Sequence, residues 1–193
     1  MDTGDGLPLI SVVIPTPAET DISTTLACIR SSDYPADRVE VLRVIGRHPA
    51  RQRNAAALQA RGAILFFLDD DSHAEPDLFR RAAAHFGDPA VWGVCGPNLA
   101  PRAGEGAFAR AVDGVWSSAV GIGPKRARYA AIGRLREAGD SDMIGCNLAV
   151  RAVAFRRVGG FDESLAPEEE NDLVDRLRAA HPGGRLLYDP QAV

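Results

Sequence analysis

Ala63-Ile64-Leu65-Phe66-Phe67-Leu68-Asp69-Asp70-Asp71 is the stretch on which the reading of this chain turns. Six apolar residues in a row, following Gly62, read as a short strand buried on both faces. The run stops abruptly at three carboxylates. Residues i and i+2 of an extended segment point to the same side, so Asp69 and Asp71 can face one cation together while Asp70 points elsewhere. Hard cations such as Mg2+ and Mn2+ prefer carboxylate oxygen and often take one or two carboxylates together with the phosphates of a substrate. Three adjacent acids repel one another, and a bound cation would explain why they are tolerated. The competing reading is a solvated loop that caps the helix opening at Pro76.

Outward from this stretch, strands and helices alternate. Ile10 to Ile14 is a β-branched run ended by Pro15 and reads as a buried strand. A helix follows, with Thr20 or Asp21 as its cap and Ile22, Leu26 and Ile29 on one face. Val39 to Ile45 is a second strand. Pro49 to Arg61 is a helix opened by proline and closed by Gly62. Beyond the acids, Pro76 opens a helix with Leu78, Ala82 and Phe86 on one side, and Val91 to Cys95 is a further strand. Ala100 to Asp142 is rich in Gly, Ala and Arg, with weak helical patterning near Phe108 to Val120. Ile144 to Arg151 returns as a strand, followed by a short helix, the Gly159-Gly160 pair, a last helix from Pro167 to about Ala180, and a strand at Leu186 to Tyr188. This alternation predicts an α/β domain with a largely parallel sheet. Ligands of such sheets sit at the carboxyl ends of strands, where Asp69 to Asp71 lie.

Composition narrows the function classes. The chain has 193 residues, 46% hydrophobic and 25% charged, with a net charge of −4. That suits one ordered domain and argues against a nucleic-acid binder, which would carry a basic patch or stripe. The longest strongly apolar stretch is far shorter than the roughly 20 residues of a membrane span, and the acidic N-terminus lacks the features of a signal peptide. Cys28, Cys95 and Cys146 are widely spaced and match no metal or redox motif. A cytosolic, reduced setting is the simplest expectation.

Three polar clusters compete for a role. Glu168-Glu169-Glu170 open the last helix, where negative side chains suit the macrodipole, and that explanation is sufficient for Glu168 and Glu169. Glu170 differs, because at about 100° per residue it shares a stripe with Leu173, Val174 and Leu177. A carboxylate facing a core needs a partner or a raised pKa, and both are common at active sites. Glu170 is the general-base candidate. Asp172 falls on the other face, with Arg176 at i+4 as its surface partner. Arg51 and Arg53 sit early in the Pro49 helix, where a cation opposes the dipole and a nearby anion would offset the cost. Arg51 reads as a surface residue. Lys125-Arg126-Ala127-Arg128 reads as a solvated run, or as a site for an anionic acceptor or lipid head group.

Several strings occur together and in order: Ser11-Val12-Val13-Ile14-Pro15-Thr16, Arg53-Asn54 with Ala60-Arg61-Gly62, and Phe67-Leu68-Asp69-Asp70-Asp71. They are followed by Gly145-Cys146-Asn147-Leu148-Ala149-Val150-Arg151, Val158-Gly159-Gly160-Phe161-Asp162-Glu163 and Glu169-Glu170-Asn171-Asp172-Leu173. The chain resembles family 2 of the inverting glycosyltransferases, from about Ser11 onward and least between Ala100 and Asp142. The resemblance implies a GT-A type fold: a Rossmann-like mixed, mostly parallel sheet flanked by helices. It implies one catalytic domain over 1–193, with a nucleotide-binding part over about 8–98 and an acceptor-side part over about 99–193, truncated at its C-terminus. It further implies a DxD element at Asp69 to Asp71, with Asp69 and Asp71 on Mn2+ or Mg2+. Pro15, Thr16, Arg53 and Asp70 would hold the nucleotide-sugar donor, and Glu170 would be the catalytic base. The acceptor would be a glycan, a lipid-linked sugar or a small molecule, in the cytoplasm or at the inner face of the membrane with peripheral association.

The chain departs from the family pattern in three places. Pro17-Ala18 replaces the usual Tyr-Asn after Pro-Thr. The second strand runs into Val44-Ile45-Gly46-Arg47-His48 without the base-reading aspartate, for which Glu19 and Glu40 are the candidate substitutes. The chain stops shortly after Tyr188-Asp189-Pro190, where members usually continue, often to a histidine that completes the metal site. The rival readings are a catalytically degenerate module that binds nucleotide or glycan without turnover, an aspartate-nucleophile hydrolase (disfavoured by His73), and a nucleotidyltransferase, which lacks its glycine-rich loop here.

Overall fold

The computed structural model describes residues 6–99, 115, 118, 121, 123–165 and 169–193. Its strands are β1 (Ile10–Thr16), β2 (Val39–Ile45), β3 (Ile64–Leu68), β4 (Val91–Cys95), β5 (Arg136–Glu137), β6 (Asn147–Arg151) and β7 (Arg185–Tyr188). The helices are α1 (Ser23–Arg30), α2 (Pro49–Gln59), α3 (Leu78–His85), α4 (Ala152–Arg157) and α5 (Glu169–Ala180), with 3-10 turns at Ala36–Arg38 and Gly123–Arg128. One seven-stranded sheet runs in the order β2-β1-β3-β6-β4-β7-β5.

β1, β2, β3, β4 and β7 point the same way, while β6 and the short edge strand β5 run against them. The alternation of strands and helices therefore gives the expected mixed, mostly parallel sheet. The reversal of β6 has a direct consequence for the site. Its register pairs Leu68 with Asn147, so the beginning of β6 lies at the same sheet edge as the carboxyl ends of β1, β2 and β3. Strand direction is decided by the connections and leaves no mark in the period-2 pattern of the strand itself.

β1 and β3 are apolar almost throughout because both faces are covered. Ile10, Val12, Ile14, Ile64, Phe66 and Leu68 face the side packed by α1 and α3, with Phe79 edge-on to Phe66 at 5.2 Å. Val13, Leu65 and Phe67 face the side packed by α2, α4 and α5. Each large side chain removed from water on these faces contributes about 1.5–3 kcal/mol. α2 lies close to the sheet because it presents Ala50, Ala56 and Ala57 to it. α5 presents Leu173, Val174 and Leu177, all fully buried, as its stripe predicts.

Element boundaries move by one to three residues. Helix α3 starts at Leu78 rather than Pro76, and α5 at Glu169, where the expected Pro167 and Glu168 lie outside the described residues. So does most of the helical patterning expected over Phe108 to Val120. Among the described residues no helix is long and apolar enough to cross a membrane.

Candidate active site

The triplet leaves β3 in a turn that its own neighbours hold. Ser72 Oγ accepts from the Asp69 amide at 3.0 Å, and the Ser72 amide donates to the Asp69 carbonyl at 3.2 Å. Thr25 of α1, fully buried, donates its hydroxyl to the Asp70 carbonyl at 2.7 Å. The acids thus sit on a fixed support at the sheet edge: Asp69 and Asp70 half-buried, Asp71 exposed.

Between this support and the end of β2 lies a cleft of about 520 Å³. Pro15, Thr16 and Pro17 form its floor, Asp69 and Asp70 one end, and Gly46, Arg47, Pro49 and Gln52 the other. Gln52 is buried and fully occupied. Its Nε2 donates to the Thr16 and Val44 carbonyls at 3.2 and 2.5 Å, and its Oε1 accepts from the His48 amide at 3.0 Å. The Gly46 amide donates to the Thr16 carbonyl at 2.9 Å. A Cβ at Gly46 would meet Gln52 Cδ at 3.0 Å, so glycine there lets the brace close.

Arg53 connects the acids to the last helix. Its Nη2 meets Asp69 Oδ1 at 3.2 Å and its Nη1 meets Glu169 Oε1 at 3.2 Å. The guanidinium is buried, lies 5.5 Å over the ring of Phe161, and leaves Nε without a partner. Gly145, just before β6, gives it room: a Cβ there would approach Nη1 at 3.4 Å. Burial raises the Asp69 carboxyl above the ordinary carboxylate range. Arg53 opposes that shift, while the charges of Asp71 and Asp70 add to it.

The helix-start acids are not equivalent, and the difference runs against their sequence reading. The macrodipole accounts for Glu169 at the level of sequence. In the folded chain Glu169 is a buried-side partner of Arg53, its side chain 13% exposed. Glu170 is half-buried on the stripe that leads into Leu173 and Val174. Its charge reaches the Tyr129 hydroxyl, which is raised chiefly by burial. Tyr129 is also within the field of Cys146, and Cys146 within that of Asp69 and Asp71. The strand-end acids, the start of β6 and the start of α5 therefore border one region. Asp172 pairs with Arg176 at 2.5 Å on the other face, as its spacing predicts.

Sequence reasoning did not single out Asn54. Its Nδ2 donates to the Phe161 carbonyl at 2.9 Å and to Glu163 Oε1 at 3.1 Å, and its Oδ1 accepts from the Phe161 amide at 2.9 Å. Gly160, at φ +76°, lies so close to Asn54 Oδ1 that a Cβ would collide with it. The Arg53-Asn54 and Gly159-Gly160-Phe161 strings are thus one joint. Their joint appearance in the sequence was the available signal.

Two other readings change. Glu40 is no substitute for a base-reading acid: it pairs with Ser11 at the amino end of β1 and bonds Arg61 and Ser11 there, at the far edge of the sheet. Glu19 is exposed and does not line the cleft. The basic run near Lys125 is not uniformly solvated, because Arg128 is buried and donates to the Ser141 and Asp140 carbonyls at 3.2 and 2.8 Å. Among the described residues no three His, Cys, Asp or Glu side chains converge as a metal site.

Solved structures share this fold. The chain is similar to a mannosyltransferase from Pyrobaculum calidifontis solved with GDP-Man and Mn2+: TM-score 0.66 and 19% identity, over 97% of this chain and 56% of that one. It is also similar to S. aureus TarS in complex with UDP-GlcNAc: TM-score 0.64 and 15% identity, over 94% of this chain and 56% of the other. These likenesses define the fold as GT-A. The model of glycosyl transferase family 2 matches residues 30–159. The chain belongs to that family. Among curated relatives, a pre-mycofactocin glycosyltransferase of Mycobacterium tuberculosis is 31% identical over 145 residues, which is 75% of this chain and 29% of the relative. The chain spans less than a third of that relative's length.

Proposed function

We propose that this domain transfers a sugar from a nucleoside-diphosphate sugar to an acceptor hydroxyl with inversion, assisted by a divalent cation. The observation that carries the reading is the Asp69–Arg53–Glu169 bridge, which ties the start of α5, and with it Glu170, to the acid-bearing sheet edge. A single displacement needs a proton acceptor and a leaving-group site facing each other across one sugar, and a bridge between residues 116 apart in sequence supports that reading.

Hard oxygen donors are the right set for Mn2+ or Mg2+, and the mutual repulsion and burial that raise Asp69 are what a cation would relieve. Asp69 and Asp71 would hold it, with the donor's diphosphate completing the shell, since the described residues offer no third protein ligand. Bound there, the cation supplies positive charge against the leaving nucleoside diphosphate. The rest belongs to the chain. Pro15 and Thr16 form the wall for the nucleoside, Asp70 lines the same cleft for the ribose, and Gln52 keeps the wall closed. Arg53 holds Asp69 and Glu169 in register. It stands close to the diphosphate end but has both terminal nitrogens engaged, so it acts on the donor chiefly through those partners. Glu170 accepts the proton of the acceptor hydroxyl at a carboxylate oxygen. The nucleotide-binding part spans about 8–98 and the acceptor-side part about 99–193. Acceptors are glycans, lipid-linked sugars or small molecules. Three free cysteines suit a reducing compartment, and we place the domain in the cytoplasm or at the inner face of the membrane.

The test is release of nucleoside diphosphate from GDP- and UDP-sugars with Mn2+, Mg2+ or a chelator, in wild type and Glu170→Gln. Turnover that depends on metal and falls by about 10²–10⁴ in the variant is expected, that being the usual contribution of general-base catalysis. Donor binding without turnover across a broad acceptor panel would make the domain a binding module instead.

A further inference from the structure

The cleft is charged at both ends with opposite sign. Of the residues lining it, the acids Asp69 and Asp70 follow β3, and the cation Arg47 follows β2. β1 lies between them in the sheet. Two strand spacings of about 4.8 Å separate these ends by about 10 Å, room for a nucleoside with its diphosphate at the acids and its base at Arg47.

The Arg47 end is short of hydrogen-bond donors with capacity to spare. Pro15, Pro17 and Pro49 have no amide hydrogen to offer. The amides of Gly46 and His48 are already given to the Thr16 carbonyl and Gln52 Oε1. Gln52 has spent both amide hydrogens on the Thr16 and Val44 carbonyls. Arg47 is exposed, and among the described residues its guanidinium has no hydrogen-bond or ion-pair partner. Among the residues lining the cleft it is therefore the side chain at that end with donors to spare, and it has no acceptor; His48, whose buried Nδ1 also lacks a partner, is not among them.

A planar donor fork best fits two adjacent acceptors. Guanine presents O6 and N7 side by side, adenine puts an amino donor beside N7, and uracil offers O4 alone on that edge. We propose that Arg47 reads the O6 and N7 edge of guanine, so that the donor is a guanosine-diphosphate sugar. This rests on the nucleotide-sugar reading of the same cleft and goes beyond it by fixing the base.

Isothermal titration of the chain with GDP, IDP, 7-deaza-GDP, UDP and ADP, each with Mg2+, tests the assignment. GDP and IDP, which share O6 and N7, should bind alike and on the order of tenfold or more tighter than UDP and ADP. 7-deaza-GDP, lacking N7, should fall between. Arg47→Ala should bring GDP down to the level of UDP without changing the thermal midpoint, because the side chain is exposed and unpartnered. Arg47→Lys, which keeps the charge without the fork, should lose most of the preference. UDP or ADP binding as well as GDP, or a GDP preference that survives Arg47→Ala, overturns the assignment while leaving the nucleotide cleft in place. Failure of every nucleoside diphosphate to bind overturns the nucleotide-sugar reading and this inference with it.

Discussion

Replacing Arg53 by methionine tests how the two halves of the site are held together. The substitution keeps the volume over Phe161 but leaves Asp69 and Glu169 facing each other without a counter-charge. Removing one member of a buried ion pair costs about 3–5 kcal/mol, because the remaining charge stays buried and unpaired. Glu169, 13% exposed, bears most of that cost, whereas Asp69, at 42%, is screened by water. The lower end, about 3 kcal/mol, is therefore expected. For a chain of this size it corresponds to a fall in thermal midpoint of roughly 6–12 °C. The loss must depend on pH. Arg53 is the charge that opposes burial at Asp69, so without it the folded Asp69 carboxyl binds a proton more readily, and the deficit should shrink as pH falls from 7.5 towards 5. Combining Arg53→Met with Glu169→Leu should recover part of the stability, since the more buried of the two unpaired carboxylates is then gone and only the half-exposed Asp69 is left without its partner. Urea and thermal unfolding at several pH values measure all three quantities. A loss under about 1 kcal/mol, a deficit independent of pH, or a double variant no better than the single one would refute the bridge as described.

Asp69→Asn probes the same acid from the other side. The folded chain raises the Asp69 carboxyl, so the stability it contributes is complete below the unfolded value of about 3.9 and is lost as pH rises through the raised folded value. Above about pH 4 wild type should therefore lose stability relative to Asp69→Asn when metal is absent, and urea midpoints that diverge in the opposite sense would contradict this. The variant should also lose the stabilisation that Mn2+ and donor together give wild type. Asn54→Ala breaks two hydrogen bonds to Phe161 and one to Glu163 and should cost about 1–3 kcal/mol in urea unfolding; a cost below about 0.5 kcal/mol would show that the Gly160-Phe161 turn holds itself.

Much of the fold is local and was therefore legible. The apolar runs of β1 and β3 signal strands covered on both faces, and both are. Pro49 and the following helix, the Leu173-Val174-Leu177 stripe and the Asp172–Arg176 pair also behave as their spacing dictates, because each depends on contacts within a few residues. Asp69 and Asp70 at the strand end follow from the same logic, since carboxylates that terminate a buried strand must emerge at a sheet edge.

The assembly of the site was not local. No period in the sequence states that β6 runs backwards, yet that reversal brings Gly145 to the edge where Arg53 lies. The helix-start preference for acids is sufficient for Glu169 in the sequence, while its actual partner is 116 residues away. Glu40 qualified as a base-reading acid by residue type alone and was excluded by register, which puts it at the wrong end of β1. Patterning along a chain fixes which face of an element is apolar, because that depends on neighbours three or four residues off. Which charged groups meet depends on how elements pack and in which direction they run, and only the folded sheet decides that.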